Sequence, residues 1–176
     1  AQAARRFLVA PEPDLDEIRA ILDDIIKDDK RAGEVIHRLR ALVQKRGPLG
    51  TELLNLNDLV QDTERLLRGE LVSRNVELAL HLQSNLPDVA AGQVELQQVL
   101  LNLVVNAMDA MRDQVGRDRR ITIETRVEGE NALIVVRDSG PGIPAQTMPD
   151  IFRPFFTTKQ HGLGMGLAIC RSIMES

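Results

Sequence analysis

An α+β fold is predicted for this chain: a helical hairpin followed by a two-layer sandwich of helices on a mixed sheet. Three observations predict it. Residues 14–46 repeat apolar side chains every three or four positions. Ile121–Val127 and Ala132–Arg137 read as two strands joined by a turn around Gly129–Asn131. Glu95–Met111 lacks Gly and Pro and is apolar enough for a buried helix. Strands and helices in this irregular order place the helices on one face of a sheet.

The chain has 176 residues, 43% of them hydrophobic, enough for one good core plus an appendage. Its 22 basic and 26 acidic residues include no Lys/Arg-rich block, and its aromatics are four Phe, so nucleic acid is not the expected partner. Cys170 is the only cysteine, which excludes a disulfide framework and a cysteine zinc cluster; in an apolar helical stretch it reads as core. No apolar run reaches the ~18 residues of a membrane span, so no direct membrane contact is expected. No signal peptide is visible, and a cytoplasmic location is expected. The first residue is not Met, and residues 1–8 read like the end of a helix, so a fragment of a longer protein is expected.

Taken in order, residues 1–9 look helical and Pro11 and Pro13 stop them. Asp14 with Glu17 resembles a capping box. A long helix then runs to about Arg46, with an apolar seam through Ile18, Ile21, Leu22, Ile25 and Ile26 that continues to Val43. Gly47-Pro48 ends it. Residues 1–46 therefore form a helical hairpin, and two such hairpins from two chains make a four-helix bundle, so a homodimer is expected. Residues 47–52 are a linker. Leu53–Leu56 is a short strand, and Asn57 caps a helix over Asp58–Ser73. Val76–Leu82 and Val89–Ala91 are strands, and Gln93–Arg112 is the buried helix. The hairpin strands follow a charged turn over Asp113–Arg119. From Ser139 to Leu163 the chain is rich in Gly and Pro, and a loop of that length in a compact domain is usually functional or disordered. Leu167–Glu175 is the last helix.

One stripe interrupts the apolar helix. Glu95, Gln98, Asn102, Asn106 and Asp109 recur three or four residues apart and share a face. Carboxamides in an apolar helix imply a polar cavity beside it. An Asn oxygen is also an uncharged ligand suited to magnesium. Gly162, Gly164 and Gly166 precede a helix N-terminus, where glycines admit an anion and free amides favour phosphate. No Gly-Lys-Ser/Thr follows, so this is not a P-loop. Asp138 stands at a strand end between close glycines, where a carboxylate can accept from an exocyclic amine, as on adenine.

Taken together these motifs resemble the sensor histidine kinases. Asn102-Leu-Val-Val-Asn106-Ala-Met-Asp-Ala resembles their N box, and Asp138-Ser-Gly140-Pro-Gly142-Ile143 their first glycine box. Phe152-Arg-Pro-Phe-Phe156-Thr-Thr-Lys159 resembles the F box, and Gly162-Leu163-Gly164-Met165-Gly166-Leu167 the second glycine box. The four lie in family order across 53–176, and Arg31–Arg40 is similar to the second helix of the family's dimerisation hairpin. The whole chain is similar to oxygen-sensing and nitrogen-regulatory kinases. The resemblance implies the fold of the GHKL ATPases for 53–176, with ATP and Mg2+ as cofactors. It implies that Asn106 binds the magnesium held by the ATP phosphates, that Asn102 lies close to those phosphates, and that Asp138 binds the adenine amine in a pocket shaped by Gly140, Gly142 and Ile143. It makes residues 139–164 a mobile lid anchored by Phe152, Phe155 and Phe156. Thr158 and Lys159 then contact lid or phosphate, with Lys159 grouped with Asn102 and Asn106 as catalytic. The run Gly162–Leu167 lines a phosphate tunnel. Phosphoryl transfer needs positioning and charge neutralisation more than covalent chemistry from the protein. The implied activity is transfer of the ATP γ-phosphate to a protein histidine, for relay to the receiver domain of a response regulator.

The chain departs from the family in three places. No phosphoacceptor box is present: His37 falls on the second hairpin helix as a surface residue, His81 in a strand, and His161 in the lid. The acceptor is expected upstream of this chain. Where some members carry a basic residue three after the second Asn, this chain has Asp109, which leaves phosphate neutralisation to Lys159 or Arg112. The chain stops at Ser176, before the family's last strands, so an exposed sheet edge is expected. Two alternatives stand beside the kinase. In hydrolytic GHKL ATPases the residue four before the magnesium Asn is a Glu that activates water; here it is Asn102, a poor base. The other is a nucleotide-binding dimerisation module without kinase activity.

Overall fold

The computed structural model describes Glu17, Ile21, Leu22 and residues 52–114, 118–159 and 162–176. The chain separates into two compact units, Ala1–Gly47 and Pro48–Ser176. In the first, Glu17, Ile21 and Leu22 are helical, with Ile21 half-buried and Leu22 exposed. The rest of the expected hairpin, its seam and His37 lie outside the described residues. Glu52, the last residue of the expected linker, belongs to a strand.

The second unit is an α+β sandwich. Strand β1 (Glu52–Leu54) pairs antiparallel with β3 (Val89–Ala91). Strands β2 (Glu77–Leu82), β4 (Arg120–Glu128) and β5 (Asn131–Asp138) form a second sheet in the order β2-β4-β5. Strand β2 is parallel to β4, and β4 antiparallel to β5, so this sheet is mixed. Register sets its two faces. Leu78 lies opposite Ile121, Leu80 opposite Ile123, and Val136 opposite Ile123 on the other side, giving one apolar face. The other face carries Thr122, Glu124 and Arg126. There Glu124 accepts from Arg126 at 3.1 Å and from Arg137 at 2.9 Å, two pairs a solvated surface tolerates. His81 is exposed on β2.

Helices α1 (Leu56–Ser73), α2 (Gln93–Ala110) and α3 (Gly166–Met174) complete the unit. Helix α1 begins two residues earlier than the sequence predicts, at Leu56 instead of Asp58. Asn55 is its cap, accepting from the amides of Asn57 at 3.0 Å and Asp58 at 3.4 Å. Asn57 has a different task. It donates to the Gln83 carbonyl at 2.8 Å and accepts from the buried Thr125 hydroxyl at 2.7 Å, tying α1 to the sheet. Thr125 in turn accepts from the Gln83 amide at 3.1 Å, so a hydroxyl inside the core is fully used. The α1 stripe Leu56, Leu59, Val60, Leu67 and Leu71 is buried at helical spacing, together with Val104, Met108 and Met111 of α2 and its end and Ile121 and Ile123 of β4. Asn75 turns the chain after α1 at φ 52°, a left-handed conformation that Asn tolerates. Among the described residues, no helix is long and apolar enough to cross a membrane.

Candidate functional site

The polar stripe of α2 is where the expected residues converge. Asn102 and Asn106 are half-buried one turn apart, and Gly166 begins α3 directly against them. A Cβ on Gly166 would lie 3.6 Å from Asn106 Nδ2 and 3.8 Å from Asn102 Oδ1, so the free amides of the α3 N-terminus start beside both carboxamides. Packing holds this juxtaposition: the buried Cys170 thiol of α3 donates to the Val99 carbonyl of α2 at 3.8 Å. Burial pushes the pKa of that thiol up.

Lys159 arrives from the segment between β5 and α3. Its ammonium donates to Asn106 Oδ1 at 3.0 Å and to Asp109 Oδ2 at 2.8 Å. Arg74, just after α1, donates to Asp109 Oδ1 at 2.7 Å. Burial alone would raise the Asp109 carboxyl, but hydrogen bonds from Lys159 and Arg74 outweigh it and hold the group below its ordinary value. Burial likewise works against the Arg74 charge, and Asp109 with Glu70 more than offsets it.

At the far end of the stripe lies the turn after β5. Asp138 Oδ1 accepts from the Gly140 amide at 2.8 Å. A Cβ at Gly140 would overlap that oxygen at 2.5 Å, so glycine leaves room for the Asp138 carboxylate to fold over its own turn, and the turn lies beside the end of α2, with the Ala110 Cβ in ordinary contact range at 3.5 Å. Ser139 pins the same turn: its hydroxyl donates to the Asp118 carbonyl at 2.9 Å and accepts from the Arg120 amide at 3.0 Å. Gln114 donates to the Ser139 carbonyl at 3.0 Å. Asn102, Asn106 and Ala110 are successive i, i+4 positions, so these contacts are spread along α2 over a helical rise of about 12 Å.

Among its described residues, the segment 139–165 contains one 3-10 turn, Met148–Asp150. Of the three Phe expected to anchor it, Phe156 is half-buried, whereas Phe152 is exposed and Phe155 is 73% exposed with φ 66°. Ile143, Leu163 and Thr158 are exposed, Gly142 turns at φ 78° with open space around it, Met165 is buried, and Gly162 and Leu167 are half-buried. The Arg112 carbonyl accepts from Arg119 at 2.9 Å. His161 lies outside the described residues.

Two groups were beyond the motif reading. Arg74 is 35 residues from Asp109, with no local pattern to connect them. Gln114 lies in a stretch that reads only as a charged turn. Asp109 belonged to the legible stripe, but its partners did not.

Among the described residues no cluster of three His, Cys, Asp or Glu could by itself hold a metal. The donor set instead fits a cation whose other ligands come with a nucleotide, since Asn106 contributes one uncharged oxygen. Asn102 Nδ2 is buried without a hydrogen-bond partner, an orphaned donor beside the helix end where a phosphate oxygen would satisfy it.

Residues 91–176 match the family described as histidine kinase-, DNA gyrase B- and HSP90-like ATPase. The chain is 35% identical over 178 residues to the sensor histidine kinase TmoS of Ectopseudomonas mendocina, a match covering 99% of this chain and 18% of that protein. It thus spans under a fifth of that curated relative. The catalytic domain of histidine kinase ThkA has a similar structure, with a TM-score of 0.64 and 34% identity over 72% of this chain and 81% of that one. ThkA in complex with response regulator protein TrrA matches 99% of this chain and 48% of that one, with a TM-score of 0.66 and 27% identity.

Proposed function

The chain belongs to the sensor histidine kinases and carries their ATPase-type catalytic domain, and from that membership we propose that residues 53–176 bind magnesium-ATP and pass its γ-phosphate to a protein histidine upstream of this chain. The observation that carries the proposal is the convergence of Asn102, Asn106, Lys159 and the Gly166 helix end on one face of α2. Each contributes what phosphoryl transfer requires. Asn106 Oδ1 would ligate a divalent cation, which supplies charge neutralisation on the phosphates. The Asn102 amide and the α3 amides donate to phosphate oxygens, and Lys159 brings a positive charge. Asp138 accepts from the adenine amine, in a turn where Gly140 makes room for its carboxylate, while Gly142 and Ile143 flank it. Thr158, Phe156 and the run Gly162–Leu167 shape the phosphate end.

A hydrolase is disfavoured by the donor character of Asn102: an amide with an unpaired N–H binds an oxyanion and does not abstract a proton from water. Residues 1–46 would act as the dimerisation hairpin, 47–52 as linker, and a response regulator receiver domain as the next phosphate acceptor, in the cytoplasm where ATP is available. Calorimetric titration with ADP and magnesium tests the proposal. Wild type should bind and Asp138→Asn should lose binding with its circular dichroism unchanged. Equal binding by that variant would overturn the adenine assignment.

A further inference from the structure

Three charged side chains from three parts of the fold meet beside Asn106. Lys159 reaches Asn106 Oδ1 and Asp109 Oδ2 at 3.0 and 2.8 Å. Arg74 takes the other Asp109 oxygen at 2.7 Å and also pairs with Glu70 at 2.7 Å. None of the three is freely solvated, with side-chain exposures of 40% for Lys159, 25% for Asp109 and 26% for Arg74. With Oδ1 engaged by Arg74, the Asp109 carboxylate is turned so that Oδ2 faces Lys159. Lys159 contacts only a neutral oxygen at Asn106, so its counter-charge there is Asp109. Partial burial strengthens this pairing relative to a solvated surface pair.

An ammonium on Asn106 Oδ1 excludes a second cation from the same oxygen, because two positive charges at that separation repel. We propose that Asp109 is a positioning residue acting through Lys159. Steered by Arg74, it latches the Lys159 ammonium onto Asn106, so that lysine and a divalent cation are alternative occupants of that oxygen. This rests on the assignment of Asn106 to the metal–nucleotide site above. Once Asn106 is taken by a cation that arrives with a nucleotide, the cation repels the Lys159 ammonium and the phosphates compete with Asp109 for it, so Lys159 exchanges Asp109 for phosphate. The latch therefore keeps residues 156–159 against α2 until the site is filled.

Hydrogen exchange at the Phe156 and Lys159 amides, which donate to the Arg153 carbonyl at 3.2 Å and the Thr157 hydroxyl at 3.1 Å, tests the latch, read without nucleotide, with ADP and magnesium, and with ADP and a chelator. Without nucleotide, Asp109→Asn and Lys159→Met should each speed exchange about fivefold, the scale of one partly exposed ion pair. The double variant should add nothing further, and Asp109→Glu should restore most of the protection. Arg74→Gln should show a smaller increase, since it acts one step removed. With ADP and magnesium the difference between wild type and Asp109→Asn should vanish; with ADP and chelator it should persist. Unchanged exchange in Asp109→Asn, or a difference that survives saturating ADP and magnesium, would reduce the pair to a structural contact. Lys159→Met carries the comparison if Asp109→Asn fails to fold, because Lys159 lies in an exposed segment. A wild-type chain with no calorimetric response to ADP and magnesium overturns the site assignment and the competition with it. One that binds but shows no Asp109 effect overturns the latch alone.

Discussion

Gly164 rests its backbone directly on the peptide that joins Phe155 to Phe156. A Cβ there would overlap the Phe156 carbonyl oxygen, and Gly164 itself sits at φ 65°. This contact seats the F-box backbone on the start of α3 and coincides with the left-handed Phe155, at φ 66°. Gly164→Ala is expected to fail twice, through the left-handed conformation, at about 1–2 kcal/mol, and through the overlap. The chain should keep its helical circular dichroism and lose at least tenfold in ADP affinity, measured by titration. Wild-type affinity in that variant would mean the contact does not shape the site.

Asn106→Ala removes one oxygen from the cleft and creates no clash. Its melting temperature should stay close to wild type, since the side chain belongs to a half-buried polar stripe and not to the apolar core. Magnesium-dependent ADP binding should disappear, and a longer protein carrying the upstream acceptor should no longer autophosphorylate. Normal phosphorylation would refute the role given to Asn106.

The Asp109 carboxyl makes stability depend on acidity. Its native pKa is depressed by Lys159 and Arg74 relative to the unfolded chain. The contribution is therefore complete above the unfolded value and is lost as pH falls through the native one. Urea midpoints compared between neutral pH and pH below the ordinary aspartate range should fall more steeply for wild type than for Asp109→Asn. Parallel slopes would show that the carboxyl is not held down by its two cations.

Asn55 and Asn57 separate a helix cap from a tertiary tie. Asn55→Ala should cost about 1 kcal/mol, the usual value of a lost N-cap. Asn57→Ala leaves the buried Thr125 hydroxyl without its acceptor and should cost about 1–3 kcal/mol. Urea unfolding of both variants checks the order. A larger loss at Asn55 would contradict the assignment.

Much of the second unit was legible beforehand because its signals are local. The period-3.6 stripe of α2, the alternation of β4 and β5, and Gly and Pro at the turns each act within a few residues, and all three elements lie within a few residues of where those patterns place them. The start of α1 was misplaced for a physical reason. Asn55 and Asn57 are equally good caps by type, and what decides between them is the Thr125 hydroxyl and the Gln83 carbonyl, which Asn57 meets only after the sheet has formed. Three Phe in one motif cannot reveal which ring is sheltered; of the three, Phe156 is half-buried and Phe152 and Phe155 are exposed.

From the sequence alone came the class of the fold, the polar face of α2 and the residue types needed to hold a nucleotide, since backbone propensity, periodicity and donor chemistry are carried within each segment. Tertiary structure alone decided how charge is arranged in the cleft. Arg74, Asp109 and Lys159 come from three elements separated by 35 and 50 residues, and a carboxylate's partners are set by which side chains packing brings within about 3 Å. Hydrogen bonding and ion pairing act through space over a few ångströms, so no local pattern can encode them until the chain has folded.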